Sequence, residues 1–186
     1  MEFIPALEFS LLGGWLFFLG QALISGLALM LVPTEMRQRL LDRSNFSKEQ
    51  RILLLISKLF ALVNIILFAM TPLSLNSVEF YVGLIIYTLG IMGLVYAISS
   101  FVRTPLGQPV TEGLYRISRH PQEVMIAVTL FGICLLIGSG LSVLILVITR
   151  TFTHFCMLAE EDACIKRYGE SYKEYMKRVP RYFISF

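Results

Sequence analysis

Charge is scarce in this chain. Lys, Arg, Asp and Glu make up 16% of its 186 residues, where a soluble domain carries about 25%. Mean hydropathy is +0.72. The deficit is concentrated: residues 9–32, 59–78 and 80–102 each run 20 or more positions without a charge. Such runs exclude an ordinary soluble domain and suit helices crossing a hydrocarbon core, which takes about 20 apolar residues. Cysteine is also sparse. Cys134, Cys156 and Cys164 form an odd set with no C-x-x-C or Cys/His spacing. Buried, reduced thiols are therefore expected, with no disulfide framework and no metal site. No basic stretch precedes the first apolar run, so it reads as a permanent span and not as a cleaved signal.

Cations are missing altogether from residues 1–8, 71–79 and 138–140. Of the 16 Lys and Arg residues, 14 fall in three segments. Arg37, Arg39, Arg43, Lys48 and Arg51 follow the first span. Arg103, Arg116 and Arg119 follow the third, and six more occupy the tail from Lys166 to Arg181. The positive-inside rule then predicts an external N-terminus and a cytoplasmic C-terminus. The net charge of +3 is a topology signal facing anionic lipid, and nucleic acid is not an expected partner.

Residues 124–149 are 26 uncharged positions interrupted by Gly138-Ser139-Gly140. Read as one span, they would put the cationic tail outside. Read as a helical hairpin, they return the chain to the cytoplasm on short arms, the first covering residues 121–137. The expected fold is all-α: a polytopic integral membrane protein with five transmembrane helices, the last two a hairpin, plus a cytoplasmic amphipathic C-terminal helix. Residues 1–186 form a single membrane domain, with three helices in 1–103 and the second half in 104–186. Ala22 and Gly26 suit close packing inside the bundle, and Lys58 snorkels to the headgroups. Thr104-Pro105-Leu106-Gly107-Gln108-Pro109 cannot continue a helix, so it lines a cavity or is covered by protein. In residues 162–179, Ile165, Tyr168, Tyr172, Tyr175, Met176 and Val179 recur at helical spacing. Pro180 ends that helix. It reads as an interfacial anchor, a lid over a site, or both.

The hairpin brings two polar clusters to one face. His120-Pro121 opens a helix whose free N–H groups favour an anionic ligand group. Glu160-Glu161 offers acceptors to hydroxyls or an ammonium, or pairs with Arg119 or Arg150 as an interface salt bridge. Ionisable groups at membrane depth mark function by default. Together these residues suit a zwitterionic, nucleotide-like cofactor.

Gly113-Leu114-Tyr115-Arg116, Arg119-His120-Pro121, Glu160-Glu161, Tyr168-Gly169 and Tyr172…Tyr175…Val179-Pro180 stand in the order and spacing of one family. From about Gln108 to Arg181 the chain resembles the isoprenylcysteine carboxyl methyltransferases. The related phospholipid N-methyltransferases look similar there. The resemblance implies S-adenosylmethionine bound in a membrane-embedded cytoplasmic pocket, with a lipidic substrate entering from the bilayer. It implies cofactor contacts from Gln108, Pro109, Val110, Leu114, Tyr115 and His120, then from Pro121, Gln122, Glu123, Glu160 and Glu161. His120, Glu160 and Arg150 are the positioning candidates, and no metal is implied. Many family members carry Tyr where this chain has Glu123.

The expected activity is methyl transfer to an isoprenylcysteine-like carboxylate, which is ionised at neutral pH and needs no general base. An amine headgroup acceptor would need a proton acceptor, for which Glu123 is placed. The competing readings are an NADPH-dependent lipid or steroid reductase and a non-enzymatic membrane scaffold. The protein is expected to work as a monomer among membrane lipids, in the plasma membrane of a prokaryote or the endoplasmic reticulum of a eukaryote.

Overall fold

A computed structural model describes residues 1–41, 46–105 and 107–183. Arg43 and Leu106, both used in the sequence reading, lie outside the described residues. The described chain is helical: α1 (Trp15–Leu31), α2 (Thr34–Leu41), α3 (Lys48–Met70), α4 (Val78–Arg103), a 3₁₀ turn (Gly113–Arg116), α5 (Pro121–Leu136), α6 (Gly140–Tyr168) and α7 (Glu170–Arg178). Helices α3, α4 and α6 are long and apolar enough to cross a membrane. At 17 and 16 residues, α1 and α5 are shorter, about 24–26 Å at 1.5 Å per residue. These five are the expected polytopic set.

The boundaries of the first two spans differ from the expectation, for local reasons. Residues 9–14 are not helical. They cross one end of the bundle, where Gly14 N–H donates to Thr71 O and Leu73 N–H to Leu12 O. The second span starts earlier than expected, at Lys48, because Ser47 and Gln50 form a capping box. It stops at Met70, just before Pro72. Ser77 caps α4 through its hydroxyl. Lys58 is exposed.

The hairpin is present. Gly138 adopts φ +63°, a left-handed turn conformation that glycine takes at no steric cost. Ser139 then caps α6 by accepting from Ser142 N–H. The N-terminal segment seals this turn: Glu2 N–H donates to Gly138 O, Gly140 N–H to Glu2 O and Leu141 N–H to Phe3 O. The three cation-free segments therefore gather at one end of the bundle. The C-terminal tail packs at the other.

Helices α4 and α5 meet backbone to backbone. A Cβ on Gly83 would lie 2.8 Å from Gly132 O, and one on Gly132 would lie 2.7 Å from Tyr87 N. Small residues permit this approach in lipid, where dispersion and weak polar contacts replace the hydrophobic drive. The expected close packing at Ala22 and Gly26 is not found: Ala22 is exposed and nothing lies within 4 Å of a Cβ on Gly26. Polar contacts tie α3 to α6, with Ser57 and Thr153 hydroxyls 3.0 Å apart and Asn64 Nδ2 donating to Ser142 O at 3.3 Å. Cys134 and Cys156 are buried and Cys164 is half-buried.

The amphipathic C-terminal helix proves to be two pieces. Gly169, at φ +60°, ends α6 and turns the chain into α7. A side chain other than glycine would strain that conformation, and the break lets α7 fold back. Tyr172, Tyr175 and Val179 are buried together with Ile165, Tyr168 and Met176 against them, so the stripe read from the sequence is real but kinked.

Candidate functional site

The described residues between α4 and α5 are irregular apart from the 3₁₀ turn. Thr104, Val110, Tyr115 and Ser118 are buried, while Pro105, Gly107 and Gln108 are exposed, so the connection is only partly covered by protein. Val110 and Tyr115 pack with Val32 and Phe101, and the Thr104 hydroxyl donates to Ser100 O at 3.0 Å. This connection delivers His120 as the N-cap of α5, with Pro121 in the first helical position, where its missing N–H costs nothing.

The hairpin then does what the two-cluster reading requires. His120 Nε2 lies 3.1 Å from Glu161 Oε1, across 41 residues of sequence. Glu161 is only 3% exposed and its carboxylate is saturated. Arg181 forks onto it, with Nε at 3.0 Å from Oε1 and Nη2 at 2.8 Å from Oε2. Arg119 Nε sits 3.3 Å from Oε1, close enough for an ion pair but without hydrogen-bond geometry. Forked guanidinium–carboxylate pairs of this kind are strong and orient both partners. The hydrogen bond to Glu161 raises the Arg181 pKa above its ordinary value. Glu160 points elsewhere. Its Oε2 is 3.9 Å from His120 Nδ1 and its side chain is 31% exposed.

Beside this cluster lies a cavity of about 340 Å³, within the roughly 300–1,000 Å³ usual for small-molecule sites. Arg119, His120, Glu123, Glu160 and Arg167 give it a polar wall. Tyr115, Tyr168, Tyr172 and Tyr175 give it an aromatic one. On the bundle side, Leu29, Leu94, Ile98, Phe101 and Ile126 make it apolar. The cavity thus joins a charged pocket to the lipid-facing helices.

Of the positions assigned from sequence, Pro109, Val110, Tyr115, His120, Gln122, Glu123 and Glu160 line the cavity. Gln122 Nε2 donates to the Tyr115 hydroxyl at 3.0 Å. Five others do not line it. Gln108 is exposed, and Pro121 is buried at the helix start. Leu114 supplies a carbonyl that accepts from Ile117 and Ser118 N–H. Glu161 lies behind the wall. Arg150 is held by Glu123, Nη2 to Oε2 at 2.8 Å. The tail tyrosines and Arg181 were legible only as an amphipathic stripe and a basic tail. Their recurrence was the available signal, and the fold-back at Gly169 was not in it. Tyr175 donates to Tyr115 O at 2.7 Å, and burial pushes its phenol well above the ordinary range, as it does for Tyr172.

The fold and the cavity define a polytopic helical membrane protein with a polar-walled cavity at one end of its bundle. A sequence model of the phospholipid methyltransferase family matches residues 73–171, more than half of the chain, and the chain belongs to that family. These are integral membrane methyltransferases related to the isoprenylcysteine carboxyl methyltransferases, so the resemblance read from the second half is upheld at family level. Membership makes the protein an S-adenosylmethionine-dependent membrane methyltransferase acting on lipophilic substrates. No curated protein and no solved structure matches the chain.

Proposed function

We propose that the cavity beside His120 holds S-adenosylmethionine and that the methyl group passes to an amine carried on a lipid headgroup. The residues fit the cofactor. Its ammonium and hydroxyls need acceptors, which Glu160 and His120 supply. Its carboxylate needs cations or free N–H groups; Arg119 and Arg167 line the cavity, and the start of α5 supplies N–H groups beside it. Tyr115, Tyr168 and Tyr172 offer aromatic faces to a cation, each worth about 0.5–2 kcal/mol. The lipid tail of the acceptor would lie along the apolar bundle side, entering from the bilayer.

One observation carries the choice of acceptor. Glu123 lines the cavity, and Arg150, a positioning candidate from the sequence, is paired with it and does not line the cavity. A carboxylate wall repels an isoprenylcysteine-like carboxylate and attracts an ammonium, which speaks against the acceptor expected from the sequence. Bound S-adenosylmethionine supplies a methyl group on a sulfonium sulfur, which leaves as a neutral thioether. Glu123, paired with Arg150, would take one proton from the headgroup ammonium and so expose the nitrogen lone pair. As the N–C bond forms and the C–S bond breaks, the nitrogen regains the positive charge. The proton would then rest on Glu123, whose side chain is 35% exposed. The buried tyrosines exclude water, and alignment of donor and acceptor accounts for much of the rate.

The test is methyl incorporation from labelled S-adenosylmethionine by the purified protein. Aminophospholipid vesicles and a prenylcysteine are offered separately. Labelling of the aminophospholipid alone is expected. Labelling of the prenylcysteine alone would restore the carboxylate reading, and tight binding of NADPH in place of S-adenosylhomocysteine would remove both.

A further inference from the structure

Arg181 lies ten residues beyond the end of the family match, on a tail strapped across the site. Arg119 N–H donates to Pro180 O at 3.0 Å, and the Ser118 hydroxyl donates to Arg181 O at 2.9 Å. The guanidinium turns inward from this strap onto both oxygens of Glu161. Among the described residues, the groups bonded or ion-paired to that carboxylate are Arg181, Arg119 and His120, each a donor or a cation.

An ionised carboxylate only accepts hydrogen bonds. His120 Nε2, 3.1 Å away, must then carry its hydrogen, and in a neutral ring Nδ1 is left with a lone pair. That nitrogen faces Glu160 Oε2 at 3.9 Å, too far for a direct hydrogen bond but spanned by one donor group placed between them. Nδ1 is thus an acceptor on the cavity wall, with Glu160 beside it. If the Arg181 fork were lost, Glu161 could turn, and the ring would be free to rotate or change tautomer.

We propose that Arg181 is a positioning residue of the cofactor site: its fork on Glu161 fixes the His120 ring so that Nδ1, beside Glu160, accepts from an ammonium or hydroxyl of the bound cofactor. The proposal rests on the reading that the cavity holds S-adenosylmethionine. Arg181 itself does not line the cavity and touches no ligand.

The experiment uses the full-length protein in detergent micelles, with histidine labelled in both ring nitrogens. The chain has only two histidines, so a His154→Gln variant assigns the His120 signals. Wild type is expected to show a neutral His120 ring with hydrogen on Nε2. In Arg181→Ala the pattern moves to mixed tautomers, and affinity for S-adenosylhomocysteine by calorimetry falls about tenfold, the size expected for a charged hydrogen bond. Arg181→Lys restores part of both. A folded Arg181→Ala protein with an unchanged ring pattern or unchanged affinity overturns the proposal, as does a doubly protonated ring in wild type. Should wild type fail to bind S-adenosylhomocysteine, the cofactor reading falls. The ring pattern then still decides whether Arg181 sets His120. Should Arg181→Ala not fold, Arg181→Lys and Arg181→Gln are judged by the same two readouts.

Discussion

Arg150 Nη2 lies 2.8 Å from Glu123 Oε2, bridging the two arms of the hairpin. The pair sits where α5 and α6 converge on the cavity, so it both ties the arms together and fixes the charge presented to an acceptor. Glu123→Gln removes the proton acceptor while keeping the shape. We expect methylation of an amine lipid to fall by about 10²–10⁴-fold, the usual contribution of general base catalysis. Affinity for S-adenosylhomocysteine should stay within a few fold. Initial rates beside calorimetry check this, and an undiminished rate removes Glu123 from the mechanism.

Glu160 and Glu161 are adjacent in sequence but are expected to respond differently. Glu160→Gln changes the cavity wall and should weaken S-adenosylhomocysteine binding with a smaller loss of thermal stability than Glu161→Gln. Glu161→Gln leaves Arg181 and Arg119 without their buried counter-charge, and breaking such pairs costs about 3–5 kcal/mol. It should lower the melting temperature before any ligand is added. Comparing the two variants by differential scanning in detergent separates the roles.

Gly132 lies where α4 and α5 touch, with Tyr87 N 2.7 Å from a Cβ placed there. Gly132→Leu must push the helices apart, and overpacking of this kind costs about 1–3 kcal/mol. Because α5 carries His120, cofactor affinity should fall along with stability. A variant as stable as wild type would show that the seam is looser than described.

The phenols of Tyr172 and Tyr175 are raised by burial, from an ordinary value of about 10. A raised folded-state value stabilises the fold fully below the unfolded value, and the benefit is lost as pH climbs through the folded one. Stability should therefore decline above pH of about 10. Ultraviolet absorbance should show late-ionising tyrosines whose titration coincides with unfolding. In Tyr175→Phe, part of that late titration should disappear.

Residues 1–8 and 71–79 share one end of the bundle, and the tail packs at the other. With cations concentrated toward the tail, single cysteines at Asn76 and Lys173 should react with a membrane-impermeant thiol reagent on opposite sides. In intact cells only the Asn76 site is expected to label. Labelling at Lys173 from outside would reverse the assigned orientation.

Much of this protein was determined by its sequence alone. Uncharged runs place the spans because lipid cannot solvate a charge, and Gly138-Ser139-Gly140 marks a turn because glycine relieves the backbone there. Cation distribution and the two polar clusters follow from the same text, and so does the tyrosine stripe after Cys164. What only the tertiary structure decided is which polar groups satisfy one another. Successive helical residues are rotated by about 100°, so Glu160 and Glu161 face different neighbours although they are chemically alike. Arg150 is spent on Glu123, and the tail turns at Gly169 to place Arg181 under Glu161. Those pairings depend on contacts between segments far apart in the chain, and no local pattern encodes a partner 20 or 41 residues away.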